Sequence, residues 1–121
     1  MNVLAIKLGV ELTSNYFCPE MAKIFAAVLD KWPETTDARV WVTEGRANRN
    51  SGLHPHDKAL DFRTHNIKSW PEQADVRGVK LEELAMKLQI RLGRHYDVVY
   101  HIELAGTPHE HIHIEWDQKE E

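Results

Sequence analysis

The stretch "HEHIHIEWD", residues 109–117, decides how the rest of the chain is read. Ile112, Ile114 and Trp116 alternate with His111, His113 and Glu115. A period of two is that of a β-strand, whose successive side chains leave by opposite faces. One face of this strand is therefore apolar and turned to a core, while the other carries two imidazoles and a carboxylate. Such a face is either solvated surface or half of a ligand set, and the other half has to come from elsewhere in the chain.

Composition limits where to look. The chain has 121 residues, 42% hydrophobic and 28% charged, which predicts one globular domain over 1–121 without long disorder. Formal net charge is −4 and the basic residues are scattered among acidic ones, so a nucleic-acid partner is not expected. A single cysteine, Cys18, excludes an internal disulfide framework and a cysteine-only zinc site. "MNVLAIKLGVEL" lacks a basic start and is interrupted by Lys7, so it does not read as a secretory signal. No run approaches the ~20 apolar residues of a membrane span, and no membrane partner is expected. These features predict a soluble chain made in the cytoplasm, reaching an outside target only when something else releases it.

Two helices and four strands are legible. In "PEMAKIFAAVLDKW", Pro19 and Glu20 suit a first turn, and Met21, Ile24, Phe25, Val28 and Leu29 form one apolar face. "ARVWVT" alternates as a strand up to "EG". "KALDFR" is a short strand with Leu60 and Phe62 on one face and Ala59 and Asp61 on the other. Residues 64–78 read as a long polar loop. "KLEELAMKLQIRLG" predicts the second helix, with Gly93 as its C-terminal cap. "YDVVYHIEL" and "EHIHIEW" read as two strands joined through "AGTPH". Antiparallel strands with helices on one side define an α+β fold.

A zinc ion that does chemistry takes about three ligands from His, Asp or Glu and leaves a position for water. "HPHDKALDF" holds the missing half of the set, with His54 on a loop and Asp61 on a strand seven residues later. A loop–strand pair meeting the strand of His111 and His113 can assemble His, Asp and His around one metal.

These residues resemble a known pattern. Zinc peptidases that cut cell-wall peptides at D-amino acids, the D-alanyl-D-alanine carboxypeptidase and phage endolysin group, carry S-x-H-x-x-G-x-A-x-D followed by a histidine on a later strand. The hedgehog signalling domain shares their fold and zinc site. "GLHPHDKALD" is similar to that signature at His54, Ala59 and Asp61, "WVTEG" is similar to the preceding hedgehog segment, and "YDVVYHIE" with "HIHIEWD" follows in the family's order. Gly52 stands where the signature has serine, with Ser51 one step earlier, and Asp57 stands where it has glycine. The resemblance implies a small antiparallel sheet with helices on one face, Zn2+ held by His54, Asp61 and His113, and hydrolysis of peptidoglycan stem peptides. Carboxypeptidase and endopeptidase action both stay open, as does a non-catalytic, hedgehog-like zinc module. A cupin-like oxygenase also uses a His-x-His pair but needs a further histidine on a later strand, and none follows His113.

Peptide hydrolysis needs a carboxylate to move a proton from water to the leaving amine. The candidates are Glu103, Glu110 and Glu115. If the isoleucines face the core, Glu110 points away from the site. A five-residue connection, 105–109, pairs Glu103 with His111 and His101 with His113, which makes Glu103 the preferred base, with Glu110 still open. It also sends Val98, Tyr100, Ile102 and Leu104 into the core. His111, or His101 beside it, is expected to support the site or donate to the developing oxyanion. Arg46, with Arg49, is the expected binder of a substrate carboxylate. His56, His65, His95 and His109 read as surface residues.

Overall fold

The computed structural model describes residues 4–6, 19–34, 40–45 and 58–119. Its elements in chain order are β1 (Leu4–Ile6), α1 (Pro19–Lys31), β2 (Val40–Gly45), β3 (Lys58–Arg63), α2 (Ala74–Leu92), β4 (Tyr96–Tyr100) and β5 (His111–Trp116). Short 3-10 turns cover Trp32–Glu34 and Ile102–Leu104. The sheet runs β1-β2-β3-β5-β4, with β2 to β5 antiparallel to their neighbours and β1 parallel to β2. The fold is thus α+β, as expected, with β1 as an edge strand too short for its alternation to be read in sequence. Among the described residues no helix is long and apolar enough to cross a membrane.

One core lies between the sheet and the helices. Leu60, Phe62, Ile112 and Ile114 leave the sheet toward Met21, Ile24 and Val28 of α1 and Leu81, Leu84 and Leu88 of α2, all buried. Each such side chain removed from water contributes roughly 1.5–3 kcal/mol, so this shared face drives the docking of both helices. The buried face of α1 is Met21, Ile24, Ala27 and Val28; Leu29, expected on that face, is 37% exposed.

Three expectations need correction. Helix α2 starts at Ala74, six residues before the expected start at Lys80, so residues 74–78 are helical rather than loop. Its first turns hide a buried Arg77 and Gly78, neither of which marks a core helix in sequence. Gly78 is where Ile102 lies against the helix; a Cβ there would stand 3.0 Å from that side chain. Strand β4 stops at Tyr100 and the chain turns through Ile102–Leu104, so Ile102 is 60% exposed overall and Leu104 only half-buried, rather than core strand residues. The observed register pairs Val99 with His113 and Tyr100 with Ile112, two residues from the expected pairing. A shift of two keeps every side chain on its face, so Val98 and Tyr100 still pack on the core.

Arg77 is buried because Glu110 meets it. The Glu110 carboxylate accepts from Arg77 Nε and Nη2 at 2.7 Å each, from Thr64 Oγ1 at 2.7 Å and from the Gly106 N–H at 2.7 Å. Arg77 also donates to the Ile67 and Thr64 carbonyls at 2.9 Å and lies 5.2 Å from the Trp70 ring centroid. Glu110 just precedes β5 and Thr64 just follows β3, so the cluster ties the adjoining ends of these strands to α2. Burial alone would push the Glu110 carboxyl up; the Arg77 guanidinium, the Gly106 N–H and the Thr64 hydroxyl together hold it below its ordinary value.

Arg77→Met leaves Glu110 buried without its counter-charge and is expected to cost about 3–5 kcal/mol, read by urea unfolding. A carboxyl with a depressed folded-state pKa stabilises fully above its unfolded value of 4.5, and that contribution is lost as pH falls through the folded value. Glu110→Gln should therefore be less stable than the native chain near neutrality and lose less stability as pH falls below 4.5.

Candidate functional site

The face of the sheet opposite the helices carries the side chains that alternate with the core. Strand β3 presents Asp61 and Arg63 there, and β5 presents His111, His113 and Glu115, because their neighbours Leu60, Phe62, Ile112 and Ile114 are taken by the core. Register sets Asp61 directly opposite His113 and Arg63 opposite His111. Cross-strand partners are near enough for side chains to meet. His113 Nδ1 lies 2.5 Å from Asp61 Oδ1, with side chains only 12% and 17% exposed. An ionised carboxylate only accepts, so Nδ1 carries the proton in this contact. The other nitrogen, Nε2, lies 3.6 Å from Glu115 Oε1.

Two expected ligands, Asp61 and His113, are thus brought together. The third, His54, lies outside the described residues, as do Arg46, Arg49, Ser51, Gly52, His56, Asp57 and Cys18. Among the described residues, no three His, Cys, Asp or Glu side chains form a group that could hold a metal ion. The donor types of the pair fit zinc. Two ligands at about 2.0–2.2 Å from a tetrahedral ion stand roughly 3.4 Å apart, so a shared ion requires the 2.5 Å contact to open by about 1 Å.

The remaining candidates separate. Glu103 lies on the 3-10 turn, not across from His111, with its side chain 69% exposed and Oε1 3.4 Å from His101 Nδ1. The His101 and His111 ring centroids are 5.7 Å apart, so Glu103 adjoins the open face through two imidazoles. Glu110 points away from this face and is saturated by its four hydrogen bonds. His111 Nδ1 lies 2.7 Å from the His109 carbonyl and must donate to it, which leaves Nε2 as an acceptor in the neutral ring. The expected donor role therefore suits His101 better than neutral His111. His95 is not simply surface: it is half-buried, and its Nδ1 accepts the Lys119 N–H at 3.0 Å. Glu115 faces the site as strand parity predicts, and Arg63, which sequence reasoning gave no role, shares the face of Asp61 by the same parity.

Comparison with protein-family models, curated proteins and solved structures finds no significant match to this chain.

In metal-free protein, the neutral His113 ring is expected to be the Nδ1–H tautomer, read from long-range nitrogen–proton NMR couplings. Asp61→Ala should shift the population toward Nε2–H; an unchanged tautomer ratio would show that Asp61 does not set it.

Proposed function

We propose that this chain is a zinc-dependent peptidase of peptidoglycan stem peptides, of the hedgehog/DD-peptidase kind and of phage or prophage type, acting at the cell wall after release. The observation that carries the reading is the Asp61–His113 contact: two zinc-type donors from adjacent strands meet on the sheet face opposite α1 and α2. The sequence similarity at His54, Ala59 and Asp61 supplies the third donor, His54.

Bound zinc supplies a polarised carbonyl and a water whose pKa falls toward ~7. The chain's own residues do the rest. His113 turns Nδ1 toward Asp61, and that nitrogen, once it gives up its proton, would be the one to hold a shared ion. Glu115, beside Nε2, holds the ring orientation, as carboxylates commonly do behind a ligand histidine. Glu103 is the proposed base: it takes a proton from the attacking water and passes it to the leaving amine as the C–N bond breaks and a C–O bond forms. Its exposure leaves the carboxylate free to reach substrate from the side of His101 and His111. Arg46 keeps its expected place as a substrate contact in the loop before His54.

The exposed position of Glu103, off the strand, is also what favours the second reading, a hedgehog-like module that keeps zinc without catalysis.

Zinc-loaded protein incubated with purified peptidoglycan is expected to release stem-peptide fragments detectable by mass, and intact stem peptides beside an active control would leave the non-catalytic module. Glu103→Gln should abolish cleavage while retaining zinc; full activity in that variant would remove Glu103 from the base role. Glu115→Gln should weaken zinc binding by roughly 10- to 100-fold in calorimetric titration.

A further inference from the structure

Helix α2 carries a second apolar stripe, on the side turned away from the core. Val79, Met86 and Ile90 are 63%, 57% and 80% exposed. Single exposed apolar residues are ordinary, but these three share one helix face, which marks a surface for association. They stand opposite Leu81, Leu84 and Leu88, which the core takes, so the body of the protein lies behind the stripe.

The stripe has the period of a coiled-coil seam. With Val76 at position a of a heptad, Glu83 and Ile90 are the next a residues, and Val79 and Met86 occupy d. Its two flanks differ in sign. Asp75 and Glu82 fall at g, on one side, and Lys80 and Lys87 fall at e, on the other. Two parallel copies bring the g flank of each against the e flank of its mate, whereas reversing one helix brings each flank against its own kind. Parallel pairing therefore sets Asp75 against the partner's Lys80 and Glu82 against the partner's Lys87, each twice by symmetry. Antiparallel pairing would crowd like charges. Lys87 already reaches Glu34 at 3.0 Å, and its three donors can serve a second carboxylate.

A competing route to self-association, strand addition at the edge strand β4, is blocked within the chain. Gln89 Nε2 donates to the Tyr96 carbonyl at 2.6 Å, and Gln89 Oε1 accepts the Val98 N–H at 3.0 Å. An added strand would need such main-chain groups.

We propose that α2 joins two copies of this chain in a parallel, two-stranded coiled-coil contact, about a two-fold axis running along the helices. The seam carries one cost, because Glu83 meets the partner's Glu83. A seam of roughly three turns also falls short of the ~1,600 Å² of a standard interface, so dissociation is expected in the micromolar range. The proposal does not depend on the peptidase reading, since α2 lies on the sheet face opposite Asp61 and His113.

The test is sedimentation velocity on the full chain, which is expected to pass from monomer toward dimer between about 5 and 500 μM. Met86→Glu and Ile90→Glu, both at exposed positions, should each weaken association by about tenfold or more, and Glu83→Gln should strengthen it by a few-fold. Glu82→Lys alone and Lys87→Glu alone should each associate less than the native chain. An equimolar mixture of those two should recover, because each supplies the sign the other lacks. Direction is read from Val79→Cys in a Cys18→Ser background. Parallel pairing sets the two new thiols side by side, within reach of a short bismaleimide; antiparallel pairing of Val79 with the partner's Ile90 would hold them roughly 16 Å apart. Thermal melting checks the fold of every variant, and Ile90→Glu carries the comparison if Met86→Glu is unstable. A monomer at every concentration, whatever else the stripe then binds, overturns the proposal. So does a dimer indifferent to both glutamate variants, a mixture that fails to recover, or the absence of a cross-link at position 79.

Discussion

The buried contact between Glu110 and Arg77 is the constraint on which the geometry of this protein depends. A carboxylate and a guanidinium removed from water are tolerated only where their remaining hydrogen-bonding capacity is filled, and here Thr64, Gly106, Ile67 and Trp70 fill it. Thr64, Ile67 and Trp70 follow β3, Gly106 precedes β5, and Arg77 itself belongs to α2. The cluster therefore holds the end of β3 against the start of β5 in one register, which brings Asp61 opposite His113. A slip by one residue would send His113 into the core and Ile112 or Ile114 out of it, at a cost of several buried side chains.

The division of labour between the two sheet faces follows from that register. Helices α1 and α2 take the apolar face, and the opposite face carries the polar side chains of β3 and β5. Two rows on it differ in chemistry. Asp61 and His113 form a tight, nearly buried donor pair, with Glu115 behind the imidazole. Arg63, flanked by Trp41 and His111, forms a cationic row one strand repeat away. Both rows sit on strands whose backbone is held on each side by ladder hydrogen bonds.

Much of this was legible in the residues themselves. The alternation in β3 and β5 assigned Asp61, His111 and His113 to one face, and the same parity argument turned Glu110 away from it. The connection after β4 was not legible. "HIEL" continues an alternating pattern, yet the chain turns there because Ile102 packs over Gly78 and the Leu104 and Ala105 N–H groups close a 3-10 turn onto His101 and Ile102. Both partners in that packing come from elements more than twenty residues apart, so no local pattern encodes it. The same holds for the start of α2: an arginine and a glycine in its first turns look like loop residues until their partners, Glu110 and Ile102, are in place.

Sequence by itself determined the α+β class, the two amphipathic helices and the sheet face to which the imidazoles and Asp61 belong, because side-chain period is a local property of the backbone. Tertiary structure alone decided which residues meet across that face. Register, the end of β4 and the burial of Glu110 depend on contacts between distant segments, and only those contacts set Asp61 against His113 and moved Glu103 to the rim.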